Sequence, residues 1–338
     1  MRKKRLQTKI MAGRFTLPVI VLLCTIVWCV TGYFLQSNIE QAGARTTTTE
    51  FIRTYFGVET KGWASSAIAF LLYSATAYFL LIINNRLNIV RNITSAVTYV
   101  YLVLIAVSPQ THYLTDAAIA SPMVALSLYF LLKTYQQEDY SSADIFYSFF
   151  YMGLSSILVP QILFVFPVMI HACYILRSLN IRSLFASISG VILPYWLLFA
   201  HAMWYDKTDK ITTLTELKHA INNLFAVADI PHRELATLAF IFLFLFIAFI
   251  NIQVNEHDEK IVTRAYLSSI SNISLFLFVI CLAVSYNTNE TTIILAMYGS
   301  FIISHLFATT SSKRTNILFV LFILSLLTIL SFNTWTLL

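Results

Sequence analysis

Charge is what this chain has least of. Lys, Arg, Asp and Glu together make up 11% of the 338 residues, where soluble domains carry roughly a quarter, and hydrophobic residues make up 58%. That balance excludes a soluble globular domain. Glycine and proline are also few, at 8 and 7 residues, so loops built on turn residues are short. The four cysteines, Cys24, Cys29, Cys173 and Cys281, all fall in apolar stretches and lack CxxC spacing, which argues for small packed hydrophobes rather than a redox or zinc pair. No phosphate-binding glycine loop, HExxH, GxSxG or clustered set of metal ligands is present. No carboxylate stands near the middle of an apolar run, which argues against the relays of ion-coupled pumps.

What is there is a succession of apolar runs. At about 20 residues per crossing, the chain accommodates an all-α, polytopic transmembrane bundle of about eleven segments in a single integral membrane domain, 1–338. The runs are centred on 15–35, 63–83, 93–108, 117–132, 145–176, 184–204, 235–252, 266–285, 292–309 and 317–335. The run 145–176 is broken at Pro160. As one helix its 32 residues would reach roughly 48 Å, too long for a hydrocarbon core of about 30 Å, so it is expected to be a hairpin of two short helices. Both ends of such a hairpin return to one side of the membrane.

The first run follows Arg2, Lys3, Lys4, Arg5, Lys9 and Arg14 and offers no small-residue cleavage site, so it reads as an uncleaved span with a cytoplasmic N-terminus. Two long polar loops, about 36–62 and 206–234, then fall outside. They hold seven basic residues, Arg45, Arg53, Lys61, Lys207, Lys210, Lys218 and Arg233, and the other fifteen of the 22 fall on the cytoplasmic side. This asymmetry puts the C-terminus outside and explains the net charge of +6 without nucleic acid as a partner. In the second loop, apolar residues at 211, 214, 217, 221, 224 and 225 share one helical face, the pattern of an external amphipathic helix on the membrane surface.

Ionisable groups concentrate outside. Glu40 and Asp116 are candidate catalytic acids or bases, and His112, His201, Arg53 and Arg233 are candidate substrate contacts; no metal site and no cofactor is assigned. Solvation of loops accounts for the same distribution without chemistry. His171 and His305 are expected inside the bundle, toward the cytoplasmic half, where an imidazole marks function or bonds a neighbouring helix.

Asp144-Ile145-Phe146, Gly153-Leu154-Ser155-Ser156-Ile157 with Pro160, Gly190-Val191-Ile192-Leu193-Pro194-Tyr195 and the run from Glu259 to Tyr266 resemble a family of uncharacterised polytopic inner-membrane proteins of Bacteroidetes. That resemblance implies an inner-membrane address and assigns no catalytic residue. More distantly, the number of spans and an acid, Glu40, soon after the first of them are similar to integral-membrane glycosyltransferases that use polyprenyl-phosphate sugars. The chain departs from that group in having Glu where Asp is usual and in having no large external domain. The leading expectation is an envelope scaffold or partner subunit in the lipid bilayer. The alternatives are a polyprenyl-phosphate-dependent transferase, whose substrate would be lipid-linked, and a small-solute or lipid transporter.

Overall fold

In the computed structural model the described residues are 6–11, 13, 15–34, 63–90, 95–137, 141–204, 230–255, 259–285, 287–309 and 312–336. Their regular structure is helical, because a backbone in hydrocarbon must satisfy its own N–H and C=O groups. Among the described residues a short helix α1 (Leu6–Met11) precedes eleven helices of ten residues or more. These are α2 (Thr16–Phe34), α3 (Trp63–Leu87), α4 (Ala96–Ala106), α5 (Asp116–Lys133), α6 (Ser141–Leu158), α7 (Phe166–Ile175), α8 (Ile181–Trp204), α9 (His232–Val254), α10 (Ile261–Ala283), α11 (Thr288–Thr309) and α12 (Lys313–Trp335). Among the described residues seven helices, α3, α5 and α8 to α12, are long and apolar enough to cross a membrane. Residues 36–62 and 206–229 of the expected external loops, with the amphipathic helix, lie outside the described residues, whereas 232–234, expected in the second loop, begin α9.

Bonds between distant segments fix which helix ends lie together. At one end, the Gln7 side chain donates to the Phe307 carbonyl (2.7 Å), the Tyr99 hydroxyl donates to the Met11 carbonyl (2.9 Å), and Lys133 pairs with Asp144 (3.0 Å). At the other, called here the loop end because α2 and α8 finish there and α3 and α9 begin there, Thr31 meets His112 and the Ser65 hydroxyl accepts from the Leu114 amide (2.9 Å).

The Pro160 break behaves as expected. A 3-10 turn, Pro160–Val165, separates α6 from α7, and both outer ends of the pair reach the end opposite the loop end: Asp144 on α6 pairs with Lys133 (3.0 Å), and beyond α7 the Gln136 amide donates to the Leu176 carbonyl (3.1 Å) and the Thr134 hydroxyl to Ser178 (3.1 Å). The legs are unequal, because α7 has only 10 residues and rises about 15 Å. The third segment differs from expectation. The apolar run 93–108 contains a helix of 11 residues, about 16 Å long and too short to cross alone. Residues ahead of it turn instead at Asn88 (φ 51°), and Asn84 brackets Val90 by accepting from its amide (2.8 Å) and donating to its carbonyl (3.1 Å).

α11 is the axis of the bundle, packed by α4, α5, α9, α10 and α12, and every residue from Thr288 to Phe307 except Asn289 is buried. α8 is peripheral. It packs on α6 where Gly190 and Gly153 let the backbones meet: a Cβ on Gly190 would lie 2.7 Å from the Phe146 carbonyl oxygen. The Ser156 and Tyr195 hydroxyls then bond across that joint at 2.8 Å.

Two expectations about buried side chains need correction. His305 is buried and bonds Glu259 (3.1 Å), but His171 is exposed and lies over the Tyr174 ring, because α7 turns Met169, Ala172 and Cys173 inward. Cys24, Cys173 and Cys281 are buried as expected, whereas Cys29 is on the outer face of α2. Apolar residues on all sides of a lipid-facing helix hide which face turns inward.

Candidate functional site at the loop end

The site is built on the connection from α4 to α5. Val107 closes α4, Pro109 opens a single 3-10 turn (Pro109–His112) with its fixed φ, and extended Thr115 precedes α5. The Thr111 hydroxyl donates back to the Ile105 carbonyl (2.8 Å), and the Tyr73 and Thr115 hydroxyls are 3.3 Å apart. The turn is thereby held to α3 and α4 before any of its functional groups are considered.

His112 points into the protein. Its ring lies on Trp28 with centroids 4.0 Å apart, Nδ1 is 2.5 Å from Thr31 Oγ1, and no part of the residue is exposed. Burial pushes its pKa down from 6.5 to about 3, against a smaller opposing effect of the Ala106 carbonyl. The ring is therefore neutral near pH 7, and its visible job is to fasten the turn to α2. Asp116 occupies the first turn of α5, where a carboxylate meets the positive end of the helix dipole, and only 2% of it is exposed.

Two residues upstream of His112, Gln110 faces the start of α9. With its amide oxygen turned to the guanidinium, Gln110 accepts from Arg233 (Nε at 3.2 Å) and its nitrogen donates to Glu234 Oε1 (3.3 Å). Beside it the Ser108 hydroxyl is 3.3 Å from Asn289 Oδ1, at the start of α11. From the last helix, Asn333 Nδ2 donates to both the Val107 carbonyl (3.0 Å) and Thr237 Oγ1 (3.0 Å). Four helix ends thus converge on Ser108–Pro109–Gln110 around a cavity of ≈ 10 Å³, about one water molecule.

Of the residues singled out from the sequence, the structure puts His112, Asp116 and Arg233 on or against one turn. It leaves His201 apart, exposed near the end of α8, with α6 packed between α8 and α5. Glu40 and Arg53 lie outside the described residues. Gln110, Glu234, Asn289 and Asn333 were not singled out as site residues. An amide in the last turn of a membrane-length helix, as at Asn333, was the available signal, since a buried amide needs partners. Among the described residues, no group of three or more His, Cys, Asp or Glu could hold a metal ion.

Helices long enough to cross a membrane, around an axial helix, with a polar joint at one end, define a polytopic helical membrane protein. Among solved structures it is similar to ArnT from Cupriavidus metallidurans, crystallised bound to undecaprenyl phosphate, with a TM-score of 0.53 and 11% identity over 90% of this chain and 62% of that one. The likeness is one of fold, and this chain spans under two thirds of the length of ArnT. No family model matches the chain, and no curated protein matches it in sequence.

Proposed function

We propose that the protein handles a polyprenyl-phosphate lipid in the inner membrane, in the manner of a lipid-linked sugar transferase, with its chemistry at the loop end facing outward. The observation that carries this reading is the shared fold with a protein crystallised on undecaprenyl phosphate, extending over 90% of this chain. The number of apolar spans and an acid, Glu40, soon after the first of them fit the same reading. A lipid phosphate has to stay at the membrane interface, because its charge is costly in hydrocarbon. Arg233 at the start of α9 supplies a cation at that level, with Arg53 on the preceding long loop as a second. Glu40 or Asp116 is the base for an acceptor hydroxyl, which requires an approach to about 3 Å. His112, held neutral under Trp28, fits the role of orienting the turn better than that of touching substrate.

The burial of α11 along nearly its whole length supports a second reading, an envelope scaffold or partner subunit. The cavity at the loop end and another in the core beside Ile162 and Tyr298 are each only ≈ 10 Å³. The motif likeness to Bacteroidetes inner-membrane proteins is compatible with both.

Native mass spectrometry of the protein released from nanodiscs with undecaprenyl phosphate separates the two. The transferase reading expects a bound lipid, weakened in Arg233→Gln, and consumption of a polyprenyl-phosphate sugar that falls at least about 100-fold in Glu40→Gln if Glu40 is the general base. Absence of both lipid binding and donor consumption in the unaltered protein would leave the scaffold.

A further inference from the structure

The joint at Ser108–Pro109–Gln110 contains an unmet hydrogen-bond requirement. Asn333 is 2% exposed, and both protons of its Nδ2 are committed, to the Val107 carbonyl and to Thr237 Oγ1. Reversing the amide would aim its oxygen at the Val107 carbonyl, so the orientation is fixed. Asn333 Oδ1 is left buried with no donor facing it. An acceptor in that condition is costly, because it has given up its bond to water and gained none in return. Asn333 also lines the ≈ 10 Å³ cavity, together with Ser108, Asn289, Arg233 and Glu234.

We infer that this cavity is a binding site for one structural water, which donates to Asn333 Oδ1 and joins α12 to the turn between α4 and α5. The volume admits one water, and the walls supply the two to four polar partners that a buried water needs. A bare cation would meet the Arg233 guanidinium on the same wall, and the Glu234 carboxylate is already offset by that guanidinium. Water satisfies the oxygen without adding charge. The last helix is in this way tied to the site by a solvent molecule as well as by the direct bonds of Asn333. The inference stands whether or not the protein handles a lipid phosphate.

Hydroxyl-radical footprinting by X-ray pulse, on the full chain in nanodiscs, tests it, because a bound water generates the radical where it sits. Pro109 is buried beside the cavity and beyond the reach of bulk radicals. The expected result is oxidation at Pro109 in the unaltered protein, with label from ¹⁸O water entering slowly. Asn333→Leu should abolish that label while oxidation elsewhere is unchanged; Ser108→Ala, which leaves the Asn333 bonds in place, should diminish it if the Leu variant does not fold. Three outcomes overturn the inference: no oxidation at Pro109, ¹⁸O exchange there as fast as in bulk, or label that appears and disappears with sodium.

Discussion

Gly190 shows how little room a single position leaves. A Cβ there meets the Phe146 carbonyl oxygen at 2.7 Å and Phe149 Cβ at 3.1 Å, and backbone cannot move aside as a side-chain tip can. Gly190→Ala is therefore expected to lower stability by about 1–3 kcal/mol through overpacking. At Gly299 the added carbon would sit 3.5 Å from Leu245 Cδ1, an ordinary contact, so Gly299→Ala should be neutral or slightly stabilising. Thermal unfolding of both variants in detergent gives the comparison. Equal effects at the two sites would show that α6 and α8 do not meet as closely as described.

His112 makes a pH-dependent prediction. Its folded-state pKa, about 3, lies below the ordinary 6.5, so the folded protein takes up its proton later than the unfolded chain does. The stabilisation from a neutral ring is complete above about pH 6.5 and is lost as pH falls toward 3. Carboxylates titrate in the lower part of this window too, so the informative quantity is the difference between the unaltered protein and His112→Phe. That difference should shift against the unaltered protein as pH is lowered from 7 to 4.5, and a constant difference in melting temperature would rule the effect out.

At the scale of elements, most helices could be read from the length of the apolar runs, and the Pro160 hairpin from the mismatch between 32 residues and the membrane thickness. α4 could not. The run 93–108 stays apolar on average although Thr94 and Ser95 fall inside it, so hydropathy does not show that the helix winds only from Ala96. The decisive residue is Asn84, one turn before the end of α3, whose amide serves as both partners for Val90. Asn84→Leu removes both bonds and strands a buried amide and carbonyl, with an expected loss of about 1–3 kcal/mol, readable as a lower melting temperature. The site was half legible for the same reason. Charges in polar loops stand out in a sequence, as Arg233 and Asp116 did, whereas Gln110 and Asn333 draw their meaning from helices distant in the sequence, 96 residues away for Asn333 and Thr237 and 226 for Asn333 and Val107.

The hairpin also makes a prediction about sidedness. Asp144 and Arg177 stand at the end opposite Arg233, as the Lys133 pair and the Gln136 amide require. In intact cells a membrane-impermeant maleimide should label Arg233→Cys. Asp144→Cys and Arg177→Cys should stay protected until the membrane is opened. Labelling of Asp144→Cys and Arg177→Cys from opposite sides would contradict the described fold, and both labelling from outside would invert the orientation drawn from the basic residues.

For the molecule as a whole, what distinguishes this bundle is that its axis is unlike its rim. α12 turns Ile317, Leu321, Leu324 and Leu327 outward, and can lie in lipid with no protein beside it. α11 carries Glu290, Ser300, Ser304 and His305 within its buried length, and α4 is shorter than the hydrocarbon is thick. Neither is suited to wait alone in a bilayer, where an unshielded polar side chain or helix end costs several kcal/mol. Synthesis nevertheless delivers α4 about 190 residues before α11, the helix that covers it. For most of translation α4 lacks its principal neighbour, and it needs a chaperone, the insertion machinery itself or a provisional fit among α2, α3 and α5 until the late helices arrive. Ribosome-stalled chains ending before residue 288 should accordingly be cleared by membrane proteases faster than chains that include α11.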